Sequence, residues 1–188
     1  MWVYLVIAVA ALTLLAVAVI FNRMIKLRNK VRRAWKDIDV QLKLRHELIP
    51  LLVSTAEGYA AHEQDLLQEV TNIRVRAEAA SSVGEKGARE SRLAGALSRL
   101  FMLEEHYPEL KADTTFMRLS DELVTVENHL AAARKYYNGT VRIYNTFIQS
   151  FPQLLLAPLF RFRPDEYFQL EEEERTSVPS AGISAREE

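Results

Sequence analysis

VRRAWKDIDVQLKLRHELIPLLVSTAEGY, residues 31–59, is the stretch on which the fold turns. Val31, Trp35, Ile38, Leu42, Ile49, Leu52, Ala56 and Tyr59 recur at alternating steps of four and three residues, and Arg45 fills the one slot that is not apolar. An α-helix turns once in about 3.6 residues, so this rhythm lays the apolar side chains along a single stripe. Pro50 lies within the run and predicts a kink rather than a stop. Gly58 offers the end of the helix.

On the N-terminal side, residues 2–21 carry no charge. At about 1.5 Å per residue they span roughly 30 Å, the thickness of a hydrocarbon core. Trp2 and Tyr4 mark one boundary, where amphipathic rings favour the headgroups. Arg23, Lys26, Arg28, Lys30, Arg32, Arg33 and Lys36 mark the other, with no acid before Asp37. Basic flanks stay in the cytoplasm, so the expected topology is N-terminus outside and C-terminal domain inside, across a bacterial cytoplasmic membrane. Ala16-Val17-Ala18 imitates a signal-peptidase site, but the basic residues follow the apolar run instead of preceding it. The basic stretch is expected to rest on anionic lipid, not on nucleic acid.

On the C-terminal side, Leu66, Val70, Ile73, Ala77 and Ala80 continue the rhythm from a second helix beginning at His62 or Glu63. Residues 81–87 (SSVGEKG) read as a loop. Leu93, Leu97, Leu100 and Phe101 share a face of a third helix, which Pro108 interrupts. Asp113 and Thr114 are N-cap types, and the last long helix runs to about Ser150. With six glycines, six prolines and no cysteine, the chain suits a few long helices and no disulfide framework. The predicted fold is all-α: a transmembrane helix over residues 1–22, then an antiparallel, coiled-coil-like bundle of about four helical segments over 23–165. Short turns around Pro152, Pro158 and Pro164 cap the bundle, and the acidic tail, 166–188, has little to bury.

No catalytic pattern emerges. A zinc-protease helix needs a second histidine four residues after the first, but Pro50 follows His46 and Leu66 follows His62 at that distance. These histidines, with His106 and His129, read as surface residues. There is no phosphate loop and no nucleophile elbow, so no enzyme, cofactor or metal site is expected. The polar residues on apolar stripes stand out instead: Arg45, Arg74, Glu127, Arg134, Asn138 and Asn145. Glu127 is expected against Arg45 or Arg74. Tyr137-Asn138 and Tyr144-Asn145 repeat after seven residues, one above the other, and the asparagines are expected to fix helix register. Trp35, Ile38 and Leu42, close to the anchor, are expected to line a contact between protomers; the alternative is that they pack on the C-terminal segment around Phe160 and Phe162.

Several ordered motifs resemble the LemA family. They are Arg45-His46-Glu47-Leu48-Ile49-Pro50, Gly58-Tyr59-Ala60-Ala61-His62-Glu63, Tyr107-Pro108-Glu109-Leu110-Lys111-Ala112, Glu127-Asn128 with Ala132-Ala133-Arg134, the two Tyr-Asn pairs, Phe151-Pro152 with Ala157, and Tyr167-Phe168. The similarity covers residues 21–175. His46 departs from it by standing where a small residue is usual, and the tail around 177–180 lacks the family's closing hydrophobic-Phe ending. The resemblance implies an all-helical domain behind one anchor and no established enzyme activity. Some relatives act in magnetosome membrane formation, and the genes often neighbour those of HtpX-like membrane proteases. The expected function is a non-catalytic scaffold that self-associates at the cytoplasmic face and organises membrane or envelope processes; the alternative is an adaptor of a membrane protease. Membrane lipid and further copies of the chain are the expected partners.

Overall fold

A computed structural model of the chain describes residues 1–169. Among them there are six α-helices, one 3-10 turn and no strand. Helix α1 (Trp2–Glu57) leads through a 3-10 turn (Ala61–Glu63) into α2 (Gln64–Glu78). Then follow α3 (Val83–His106), the short α4 (Pro108–Ala112), the long α5 (Thr114–Gln149) and α6 (Gln153–Leu159). Residues 160–169 carry no regular structure.

Helix α1 is one continuous element of 56 residues, about 84 Å long. Its first third projects beyond the bundle with its apolar side chains uncovered. It is long and apolar enough to cross a membrane and fits a membrane anchor. The rest of α1 pairs with α5, and the α2–α3 hairpin covers the far end of that pair. Pro50 sits inside α1 without ending it.

The core divides into two clusters. The far one joins Ile49, Leu52 and Ala56 of α1 to Leu67 and Val70 of α2, Leu93, Leu97 and Leu100 of α3, and Phe116, Leu119 and Leu123 of α5. The one nearer the anchor joins Met24, Val31, Ile38 and Leu42 to Leu130, Tyr137, Val141, Tyr144 and Ile148, and closes over Ala157, Phe162 and Phe168. Phe168 is buried, so the folded body reaches at least residue 169 and does not end at 165. Residues 170–188, the remainder of the expected acidic tail, lie outside the described residues.

Residues 81–87 are not a loop: α3 begins at Val83. The Ser82 side chain accepts the Glu85 backbone N–H, and the Glu85 carboxylate accepts from the Ser81 N–H. This S-x-x-E arrangement caps donors that an unpaired first turn would leave open. Gly87, inside that helix, is buried, and a Cβ there would collide with the backbone carbonyl of Gln169. The far tip is held by two tyrosines. Tyr59 OH donates to Asp113 Oδ2 at 2.9 Å, while Asp113 Oδ1 accepts the Phe116 N–H at 2.8 Å and caps α5. Tyr107 OH donates to Glu63 Oε1 at 3.2 Å. We expect Asp113→Ala to lower the melting temperature clearly more than Thr114→Ala, since only Asp113 serves both the cap and the tyrosine.

Candidate functional site

The two clusters are separated by a layer of charge. Arg45, in the polar slot of the α1 stripe, is 1% exposed. Its Nη1 donates to Glu90 Oε2 of α3 at 2.8 Å, and Glu90 is also 1% exposed. The other Glu90 oxygen, Oε1, lies 2.8 Å from His46 Nε2. From α5, Glu127 Oε1 stands 2.7 Å from Arg45 Nε, a charge contact without the alignment of a hydrogen bond. Burial raises the Glu127 carboxyl above its ordinary range, against the pull of Arg45 and Arg134. Burial likewise lowers the Arg134 guanidinium, with Glu127 opposing.

The layer therefore ties α1, α3 and α5 at one height. Of the two partners considered for Glu127, Arg45 holds the place; Arg74 instead faces Glu78 on its own helix. His46 is not a free surface histidine, because it is nearly enclosed against Glu90. Glu90 was not singled out from the sequence, although it stands in phase with Leu93, Leu97 and Leu100. Among the described residues, no three His, Cys, Asp or Glu side chains gather as a metal-binding group.

The Tyr-Asn repeat does something other than fix helix register. It grips residues 163–168, which run along the α1–α5 pair. Tyr144 OH donates to the Arg163 carbonyl at 3.0 Å. Asn145 takes both backbone groups of Asp165, its Oδ1 accepting the N–H and its Nδ2 donating to the carbonyl, each at 2.9 Å. One heptad back, Tyr137 OH donates to the Glu166 carbonyl at 2.9 Å. Asn138 holds Phe168 in the same two-pronged way, at 2.9 and 3.0 Å. The spacing follows from geometry. Seven helical residues advance about 10.5 Å and three extended residues about 10 Å, so a heptad on α5 matches a three-residue step on the segment. Burial, with Asp165 and Glu166 nearby, pushes the Tyr137 hydroxyl up to about 12, which keeps it a donor.

The segment that carries these contacts lies within a region whose sequence is itself diagnostic. Residues 34–181 match the model of the LemA family. The chain belongs to the LemA family. It is 23% identical to magnetosome protein MamQ 2 of Paramagnetospirillum magneticum, over 79% of this chain and 64% of that protein. It is also 23% identical to magnetosome protein MamQ of Magnetospirillum gryphiswaldense, over 88% of this chain and 72% of that protein. It is 26% identical to protein LemA of Metamycoplasma hominis, over 86% of this chain and 74% of that protein. The chain thus spans less than two thirds of the length of the first of these.

In this LemA chain the residues expected at a contact between protomers belong to its own core. Ile38 is fully buried and Leu42 nearly so, and Trp35 meets Tyr137 edge-on and Phe168 at a tilt. They share one cluster with Phe162 and Phe168 of the C-terminal segment, Trp35 meeting Phe168, which leaves Ile38 and Leu42 covered and Trp35 half-buried. The basic stretch is likewise only partly free. Arg23, Arg28 and Lys30 lie over the rings of Phe147, Phe162 and Tyr136, while Lys26, Arg32, Arg33 and Lys36 are exposed. Burial raises the Asp165 carboxyl, with Arg32 and Arg28 opposing, so part of the positive charge is turned toward the gripped segment.

Among the described residues, an open groove of about 810 Å³ lies between α1 and α5. Leu44, Leu48, Leu51 and Met117 form its apolar floor, and Glu47, Arg118, Asp121 and Glu122 rim it with both signs of charge.

Proposed function

We propose that this LemA protein is a membrane-anchored, non-catalytic scaffold that associates with further copies of itself on the cytoplasmic side and organises a membrane. Family membership and the two relatives named as magnetosome proteins support the membrane setting. The observation that carries the self-association is the open groove. Its floor keeps Leu44 and Leu51 substantially exposed, and an anchor in a shared bilayer presents the groove of every copy at the same height. Lateral confinement raises the effective concentration of a second groove. A rim of both charge signs lets two grooves meet without an obligatory clash of like charge.

Crosslinking in native membranes tests the reading. We expect a ladder of homo-oligomers, lost in Leu44→Asp with Leu51→Asp while helix content is kept, because both positions are exposed in the single chain. A stoichiometric second protein in place of the ladder supports a protease adaptor instead. Orientation has its own test. Ser98→Cys, on the exposed far side of the bundle, is expected to react with an impermeant thiol reagent only after the cell is opened. Reaction in intact cells reverses the topology.

A further inference from the structure

We propose that the corner between α5 and α6 is a second membrane-contact site, seated in the headgroup region of the leaflet from which the anchor emerges. The proposal rests on the reading of α1 as an anchor. Its starting point is a second uncharged run, residues 143–160 (IYNTFIQSFPQLLLAPLF), bounded by Arg142 and Arg161. Part of that run is spent inside the bundle: Tyr144, Ile148 and Ala157 are buried. The remainder is not. Phe151 is 80% exposed, Leu154 52%, Leu155 67% and Leu159 73%. Four large apolar side chains this open at one corner exceed the scattered exposure that a soluble surface tolerates.

The height of the corner decides what covers it. The uncharged stretch of α1 ends at Asn22, and Arg23 begins the basic flank. Phe21, at that boundary, has its ring centroid 4.8 Å from Phe160 and 6.0 Å from Phe162. Arg23 lies over Phe147 in the last turn of α5. Helix α5 therefore stops at the level where α1 leaves the hydrocarbon, and Phe151 and α6 occupy the interface itself. Aromatic rings and leucines in this zone insert a few ångströms into the headgroup and acyl boundary. Arg23, Lys26 and Arg161 stand at the same level and suit the phosphates of anionic lipid. Continuity with the apolar stretch of α1 and this basic border favour lipid over a second copy.

How α6 is held fits the role. Its C-terminus closes with Phe162 N–H on the Ala157 carbonyl at 2.8 Å and Arg161 N–H on the Pro158 carbonyl at 3.1 Å. This is the doubly bonded end that normally places glycine in the left-handed conformation. Here Arg161 takes that conformation, with φ 58°. The chain thus accepts a conformation that favours glycine and keeps a cation beside the apolar corner.

The chain has no cysteine, so single cysteines report position directly. The full chain carrying Leu155→Cys is labelled with an environment-sensitive dye and reconstituted into vesicles of phosphatidylcholine and phosphatidylglycerol. Leu12→Cys in the anchor and Met102→Cys on the exposed far part of the bundle serve as references. Lipids spin-labelled at the headgroup should quench the dye at Leu155 several-fold more than at Met102, whatever the ratio of protein to lipid. Lipids spin-labelled deep in the acyl chain should quench Leu12 preferentially. Quenching at Leu155 no stronger than at Met102 overturns the proposal while Leu12 still reports an intact anchor. Shielding of Leu155 from both lipid and aqueous quenchers assigns the corner to a second copy and overturns it too. Loss of quenching at Leu12 removes the anchor and the proposal together. Leu154→Glu with Leu159→Glu should lower quenching at Leu155 without changing helix content; unchanged quenching also counts against it.

Discussion

Glu90→Ala is expected to lower stability by about 3–5 kcal/mol, the range for removing one partner of a buried ion pair. For a domain of this size that corresponds to a fall of roughly 10 °C in melting temperature. The reason is what remains. Arg45 keeps its charge in a site 1% exposed, with Glu127 at its Nε and nothing at the position Glu90 filled. His46 loses its partner as well. Lys43→Ala provides the reference, because the Lys43–Glu47 pair is exposed and separated by four residues on one helix. Such pairs contribute about 0.5 kcal/mol or less. Arg45→Met combined with Glu90→Leu should lose less than Glu90→Ala alone, since no charge is stranded. Thermal melts of the reconstituted chain decide the matter. Equal losses for Glu90→Ala and Lys43→Ala would mean that the buried charge layer does not hold the three helices together.

Asn145→Ala should release the gripped segment and cost about 2–4 kcal/mol, since it deprives one N–H and one carbonyl of Asp165 of their partners at a site largely shut from solvent. Amide exchange at Asp165 is the direct readout and is expected to accelerate by orders of magnitude. Asn145→Asp should be about as damaging despite its similar shape. A carboxylate still accepts the Asp165 N–H, but it has no proton for the carbonyl and brings a second negative charge beside the Asp165 side chain. Asn138→Ala is expected to cost less, because the buried Phe168 ring keeps its contact with Trp35 and Tyr137 still holds the Glu166 carbonyl. Unchanged exchange at Asp165 in Asn145→Ala would remove the clamp from the account.

How far these sites were legible depends on periodicity. The stripe of α1, the cap of α5 at Asp113 and the span of α5 follow from spacing and residue type, because a helix repeats a local rule along its length. Arg45 drew notice for the same reason, as the wrong chemistry in a regular slot. Glu90 carries an equal signal, three residues before Leu93, but a loop over SSVGEKG leaves it close to the start of the helix, where a charge in the stripe does not stand out. Ser82 and Glu85 held the capping pattern that corrects this. The role of the Tyr-Asn pairs was out of reach in a different way. Their seven-residue repeat places them on one face of α5, yet nothing local tells an asparagine facing another helix from one facing extended backbone. That partner lies 20 and 30 residues away, in a segment with no period of its own. The end of α6 gave no warning either, since its left-handed position holds Arg161 where glycine is the usual sign.

The unbroken course of α1 has a mechanical consequence. The chain runs as one helix, Pro50 included, from the stretch that fits the bilayer to the far tip at Glu57, with α5 and α2 packed along it, so the bundle follows the tilt of its anchor. It acts as a rigid lever. The stretch from Phe21 to Glu57 makes an arm of about 54 Å, and a typical anchor tilt of about 20° sweeps its tip sideways by roughly 18 Å. A bilayer that thins or thickens alters the tilt of a spanning helix, and on this arm each change of about 5° moves the α2–α3 end by roughly 5 Å.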